Sequence, residues 1–298
     1  MGLAGLRCMQ ITFRRLAAYL QLTKPILTLV ALVTTLAGFY LGSPTDIDLT
    51  RLSLVVAGTA LLGAAMAALN QYFERGVDAK MPRTCGRPLP SGRLRPAEVL
   101  VFGAAALVAS GLLLYGACGT LTAAVAAAIA FSYLCCYMPL KRRTWWCTLV
   151  GAVPGALPPV LGYAAGAGTL RLGAWVLFAI VYLWQLPHFF AIARVYRQEY
   201  RAAGMPMLPV VDLDGRRTGR QIALFSLGLL VATLWPTYSG MAGLNYLMIA
   251  LLLGFVFGAF AFHGAVGNSR ASARRLFLAS VFYLPLLLIA MVLDKMPA

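Results

Sequence analysis

The sequence predicts an all-α, polytopic membrane bundle of nine transmembrane helices with its amino terminus in the cytoplasm. Three observations predict it. The first is composition: of 298 residues, 61% are hydrophobic and only 11% charged, with a mean hydropathy of +0.80. A soluble domain cannot cover that much apolar surface. The second is the recurrence of apolar stretches approaching the ~20 residues needed to cross a bilayer, at roughly 25–42, 52–72, 97–116, 119–139, 145–166, 172–192, 221–239, 243–263 and 275–293. Lipid offers no hydrogen bonds, so backbone facing it must satisfy itself as helix. The third is alternation of charge. Of the 25 Lys and Arg, 22 precede the first stretch or follow the second, fourth, sixth and eighth, while Arg51, Arg171 and Lys295 fall on the other side. The positive-inside rule assigns the crowded side to the cytoplasm.

No gap between stretches is long enough for another globular domain, so residues 1–298 read as one integral membrane domain with a cytoplasmic lead at 1–24. That lead is too polar for a signal-peptide core. ITFRRLAAYLQL within it suits a short amphipathic helix on the membrane surface, and so short a lead points to a bacterial inner (plasma) membrane. The net charge of +16 invites nucleic acid as a partner, but the alternation of basic residues excludes it and makes membrane lipid the surrounding partner. The cysteines Cys8, Cys85, Cys118, Cys135, Cys136 and Cys147 form no CxxC pair and read as small hydrophobes.

The second stretch ends in a polar stripe. Asn70, Glu74 and Asp78 recur at i, i+4 and i+8, which at about 100° per residue keeps them on one helical face. A carboxylate at a membrane boundary is costly and usually functional. Mg²⁺ prefers one or two carboxylates, retained waters and substrate phosphate oxygens, so the stripe suits a metal–phosphate site. The following run KMPRTCGRPLPSGRLRP cannot stay helical, because Pro82, Gly86, Pro88, Pro90 and Gly92 interrupt it. Within it, Arg83 and Arg87 can grip phosphate in bidentate fashion.

The fourth stretch ends in FSYLCCYMPLKRRT, placing Tyr137 and Lys141 four apart with Arg142 next. These read as a second set of phosphate contacts or as charges complementing a helix dipole. The fifth carries VPGALPPVLGY, which reads as a broken helix. The sixth ends in YLWQLPHFFAIARVYRQEYRAAGMPMLPVV. There Gln185 and His188 lie deep in apolar helix around Pro187, and His188 and Glu199 share a face if the helix continues. Arg194 and Arg197 flank them. His263, without such company, reads as structural. The ends of stretches two, four and six open on one side, so a bundle can gather these groups around one chamber.

At these residues the sequence resembles the UbiA-type membrane prenyltransferases. Their NxxxDxxxD motif appears as Asn70, Glu74 and Asp78, and their YxxxK motif as Tyr137 and Lys141. NQYFERGVDAKMPRTCGRPLPSG, LKRRT followed by GALPPVLGY, and WQLPHFFAIARVYRQEYRAAGMPMLPV are similar to the heme-prenylating branch of that superfamily. Gly76 stands where the family usually has an acid, Cys147 where it has an asparagine, and Glu199 where it has an aspartate.

The resemblance implies transfer of a farnesyl group from farnesyl diphosphate to a vinyl group of heme b, giving heme O. It implies Mg²⁺ as cofactor, held by Asn70, Glu74 and Asp78. Lys141 and His188 complete the catalytic set, His188 touching heme at iron or at a propionate. Arg83, Arg87, Tyr137, Arg142, Gln185, Arg197, Glu199 and Tyr200 are the implied substrate contacts. A heme A synthase or a terminal-oxidase assembly is the implied protein partner. Two other readings compete: a hydroxybenzoate or quinone-precursor acceptor, and a transporter of a small anion or porphyrin. The transporter should carry polarity near mid-membrane, whereas here most polar groups stop near one face.

Overall fold

The computed structural model describes residues 14–44 and 46–296. Cys8, Arg7 and the start of ITFRRLAAYLQL lie outside the described residues. The chain runs through α1 (14–22), α2 (Pro25–Gly42), α3 (Leu49–Asp78) and α4 (Pro96–Phe131). One π-helical turn, Ser132–Tyr137, leads into α5 (Met138–Leu140). Then follow α6 (Cys147–Ala167), α7 (Leu172–Val195), α8 (Arg197–Ala202), α9 (Leu208–Val211), α10 (Arg216–Tyr238), α11 (Leu244–Val266) and α12 (Arg270–Leu293). The described residues contain no strand, only an isolated antiparallel bridge between Ala242 and Lys295.

Among the described residues, eight helical runs are long and apolar enough to cross a membrane, where nine were expected. The difference lies in Pro96–Leu140, a single run of 45 residues. At ~1.5 Å per residue that is about 68 Å, twice the ~30 Å hydrocarbon core. Gly119 interrupts it at φ 76, ψ −170, a conformation open to glycine at little cost. Contacts with α3 trace the path. Ser110 Oγ donates to Gly58 O at 2.7 Å and Arg51 Nε reaches Cys118 Sγ at 3.3 Å. Beyond Gly119 the chain is back near the far end of α3, where Asn70 Nδ2 meets Met138 Sδ at 3.4 Å. The run doubles back at Gly119, and the third and fourth apolar stretches of the sequence form its two limbs.

Helix α1 lays Ala18 and Leu22 against Ala68, Leu89, Leu94 and Val99, while Leu16 and Leu20 face outward. Arg15 pairs with Glu98 at 2.6 Å. The lead is docked on the bundle as well as turned to its surroundings.

The closest helix packing joins α2 to α6. An added Cβ at Gly38 would fall on Pro159 O, at Gly162 on Thr35 O and at Gly166 on Phe39 O, and at Gly42 it would lie 2.7 Å from Tyr163 O. Small residues let backbones approach where lipid gives no hydrophobic drive between helices. The expected break in VPGALPPVLGY does not occur, since α6 continues through Pro154, Pro158 and Pro159. Proline removes i→i−4 bonds, but this helix is buried against its neighbours, which hold its path. Thr35 Oγ1 donates to Pro158 O at 3.2 Å and Gln185 Nε2 to Ala152 O at 2.9 Å.

The end of the bundle opposite the polar stripe is closed by the last residues. Lys295 Nζ donates to Tyr40 O and Ser43 O, both at 2.7 Å. Asp294 Oδ2 accepts from Tyr246 N at 2.7 Å, capping α11.

Gly162→Val is expected to lower the melting temperature of the purified protein in detergent by several degrees, since overpacking costs about 1–3 kcal/mol. Gly76→Ala, whose Cβ would meet no atom within 4 Å, is expected to leave the same melt unchanged or slightly raised, because alanine suits a helix better than glycine.

Candidate active site

Asn70, Glu74 and Asp78 occupy the last turns of α3 with 3%, 6% and 3% of their surface exposed. Buried carboxylates are tolerated only when paired. Here each polar group meets a cation from a different segment. Lys24 Nζ donates to Asn70 Oδ1 at 2.7 Å. Lys141 Nζ pairs with Glu74 Oε1 at 2.6 Å. Arg87 Nη1 reaches both Asp78 oxygens, at 2.8 and 2.7 Å.

Each cation is positioned by a local feature. Lys24 immediately precedes α2 and has φ 48, the only positive φ outside glycine among the described residues. Such a conformation costs an L-residue roughly 1–2 kcal/mol. Burial, with Arg87 and Lys141 adding repulsion, brings its ammonium down to about 7. Lys141 follows the π turn, a feature common at functional sites. Its Nζ lies 5.6 Å from the centroid of Tyr137, whose ring is 5.3 Å from that of Tyr133. Burial disfavours the Lys141 charge, but Tyr137, Glu74 and Tyr133 outweigh it and hold the ammonium above its ordinary range. Gly151 makes room for Tyr137, since a Cβ there would sit 2.6 Å from Cδ2 of the ring. Arg87 is carried by the loop after α3, which folds back as Thr84 Oγ1 donates to Asp78 O at 2.8 Å.

Arg83 turns to the α7–α8 junction instead. Its guanidinium lies 4.5 Å from the Tyr196 centroid and donates to Tyr200 Oη at 3.4 Å. Burial weakens its charge, but Tyr200 and Glu199 more than compensate and raise its pKa. Glu199 Oε2 is buried without a hydrogen-bond partner among the described residues. An apolar cluster of Val77, Met81, Cys147, Ala193, Met205 and Met207 ties the ends of α3 and α7 to the start of α6, with Tyr137, Leu140 and Tyr200 against it. The ends of the second, fourth and sixth sequence stretches therefore meet.

Other expected contacts lie elsewhere. Arg142 is exposed and makes no side-chain hydrogen bond among the described residues. Arg197 Nη2 donates to Asp212 O at 3.2 Å and Leu213 O at 3.4 Å, clamping the approach to α10. Gln185 is spent on Ala152 O inside the α6–α7 interface. His188 does not share a helical face with Glu199, because α7 stops at Val195 and Tyr196 leaves helical geometry at φ −103, ψ 25 before α8 begins. Arg83 packs on the Tyr196 ring at that break. Two members of the site have no role in the sequence reading. Lys24 counted only as topological charge, although a lone cation beside Pro25 at the edge of a span was its signal. Tyr133 had none, because a π turn is not visible in residue spacing.

The model of the UbiA prenyltransferase family matches residues 31–286. The protoheme IX farnesyltransferase of Solibacter usitatus is 46% identical over 286 residues, covering 93% of this chain and 98% of its own. The structure of a digeranylgeranylglyceryl phosphate synthase superposes with a TM-score of 0.78 at 17% identity, over 94% of this chain and 98% of the other. A UbiA homologue from Archaeoglobus fulgidus bound to DMAPP and Mg²⁺ superposes with a TM-score of 0.63 at 15% identity, over 92% and 98%.

Removing one partner of a buried ion pair costs about 3–5 kcal/mol. Arg87→Ala is accordingly expected to destabilise the protein strongly, and the double variant Asp78→Asn/Arg87→Ala to recover part of that loss; a double-mutant cycle of thermal melts measures both.

Proposed function

The chain belongs to the UbiA prenyltransferase family, and from that premise we propose that it transfers a farnesyl group from farnesyl diphosphate to a vinyl group of heme b. The observation that carries the diphosphate end is the set of three cations, Lys24, Arg87 and Lys141, each resting on an oxygen of α3. The protoheme IX farnesyltransferase at 46% identity supports the choice of donor and acceptor.

The donor set fits magnesium. Two carboxylates and an amide oxygen converge, no thiolate or imidazole joins them, and the described residues hold no cluster of three or more His, Cys, Asp or Glu that could cage a metal without substrate. Mg²⁺ characteristically completes so partial a shell with water and phosphate oxygens. When bound it supplies positive charge to the leaving diphosphate. Glu199, with its unpartnered buried oxygen beside Arg83, is a further anionic group at the same mouth.

The chain's own groups act by changing partners. With a diphosphate in the mouth, the N–H donors of Lys24, Arg87 and Lys141 turn from Asn70, Asp78 and Glu74 to phosphate oxygens. The α3 oxygens are thereby freed for magnesium. Arg83, held by Tyr196 and Tyr200, is a further cation on the same loop as Arg87. The allylic C–O bond breaks with its electron pair leaving on the diphosphate. The aromatic faces of Tyr133 and Tyr137 favour positive charge next to that mouth, and the apolar walls keep bulk water from intercepting the cation. The terminal carbon of the heme vinyl group forms the new C–C bond. Water then adds at the carbon attached to the ring and loses a proton, leaving the hydroxyethylfarnesyl group of heme O.

We place the mouth on the cytoplasmic side, because the basic residues gather there, and the protein in a bacterial inner membrane. Its product is too apolar for the cytosol and passes within that membrane to a heme A synthase or a terminal-oxidase assembly.

Incubation of the purified protein with heme b, farnesyl diphosphate and Mg²⁺ is expected to give farnesylated heme by mass spectrometry. Prenylation of a hydroxybenzoate in place of heme would overturn the acceptor. Glu74→Gln and Asp78→Asn are each expected to lower turnover by about 10²-fold or more, the usual scale for removing a group that stabilises transition-state charge. Lys24→Met is expected to raise KM for farnesyl diphosphate by about tenfold, the loss of one charge-assisted hydrogen bond, without changing the melting temperature by more than a few degrees.

A further inference from the structure

His188 stands apart from the ion pairs, and its ring is gripped on several sides. Trp184 stacks on it at 5.2 Å and 28°, and Phe277 of α12 lies 5.1 Å away at 40°. Its Nδ1 is 2.7 Å from Ser280 Oγ, also on α12. Ser280 is fully buried, and its backbone oxygen is held in turn by Trp184 Nε1 at 2.8 Å.

These contacts determine where the imidazole proton sits. Ser280 Oγ is also 2.6 Å from Phe277 O. A carbonyl oxygen only accepts, and a hydroxyl carries one proton, so Ser280 donates to Phe277. The hydroxyl then presents lone pairs to His188. Nδ1 must carry the hydrogen that joins them. In a neutral imidazole with Nδ1–H, the lone pair resides on Nε2. No side chain among the described residues hydrogen-bonds to that nitrogen.

We propose that Ser280 is a positioning residue that holds His188 as its Nδ1–H tautomer, so that Nε2 binds the iron of the acceptor heme and not a propionate. This rests on heme being the acceptor. A propionate is itself an acceptor, and a lone pair facing it is repulsive. Before heme arrives, a charge between Trp184 and Phe277 would have no anionic partner to offset its desolvation, so the ring that meets the acceptor is neutral. Iron is a Lewis acid and takes the lone pair directly. Histidines that ligate metals characteristically donate their other N–H to an oxygen, which fixes the ring and raises its basicity. An axial bond also sets the height and tilt of the macrocycle while leaving it free to turn about the iron–nitrogen axis. The choice of vinyl group therefore falls to other contacts.

The test uses the full-length protein in detergent with protoheme IX and no prenyl donor. The wild type is expected to give an electronic and EPR spectrum of nitrogen-ligated iron. His188→Ala loses that spectrum and regains it on addition of free imidazole. Ser280→Ala weakens heme affinity by about 10–100-fold, the usual effect of removing such a partner, and lowers the ferrous iron–nitrogen stretching frequency in resonance Raman. Ser280→Thr, which keeps the hydroxyl, restores both. If Ser280→Ala does not fold, Ser280→Cys, a weaker acceptor of similar size, shifts the band in the same direction by less. An unchanged iron spectrum in His188→Ala, or an unchanged band in the Ser280 variants, overturns the inference. Should the wild type still make farnesylated heme in that case, the proposed function stands without it. Should the wild type bind no heme and prenylate another acceptor, both fall together.

Discussion

Two carboxylates and an amide buried at the end of an apolar helix are the constraint on which the rest of this structure depends. Glu74 and Asp78 sit in surroundings where an unpaired charge would cost several kcal/mol. The chain answers with cations from three separate places: Lys24 before α2, Arg87 in the loop after α3, and Lys141 after α5. Each placement imposes a local irregularity. Lys24 takes a left-handed backbone, the loop turns back under Asp78, and α4 passes through a π turn before α5. These three departures from regular helix converge on one stripe. The regular packing of the bundle, including the glycine-lined contact of α2 with α6, supplies the rigid walls between which they are set.

The acid stripe and its Arg87 and Lys141 partners were legible because helical spacing, motif and membrane hydropathy all pointed to one face. The helices were legible for a similar reason: an apolar run of the right length has few alternatives in lipid. The break at Gly119 falls at the edge of two apolar stretches the sequence divides there, although the backbone is helical on both sides of it. Sequence reasoning failed where tertiary partners override local signals. VPGALPPVLGY looked broken, but α6 runs through it, packed closely along α2. The helix of His188 looked continuous to Glu199, but it ends at Tyr196, where Arg83 packs on the ring. Arg197 and Gln185 looked like substrate contacts and are engaged with backbone carbonyls. No pattern in a single sequence reveals that a polar side chain is already occupied.

The two ends of the proposed site follow different electrostatic designs. The diphosphate end is dense in charge and holds its groups in exchangeable pairs. The region around His188 has aromatic neighbours, one serine and no ion pair. That separation suits a reaction that generates a cation at one point and must deliver it to a neutral π-bond at another. A charged wall near the acceptor would trap the cation or neutralise it before the carbon–carbon bond forms.

The wide separation in sequence of the three cations also bears on how the protein is made. Lys24 is synthesised 46 residues before Asn70, and Arg87 only 9 residues after Asp78, so Asn70 finds its cation already made and Asp78 gains its own soon after. Lys141 emerges only after the folded-back run of Pro96–Leu140 has been synthesised. At about 5–20 residues per second, Glu74 spends several seconds at the membrane without its counter-charge. The order of translation is therefore also the order in which the oxygens of the stripe gain their cations.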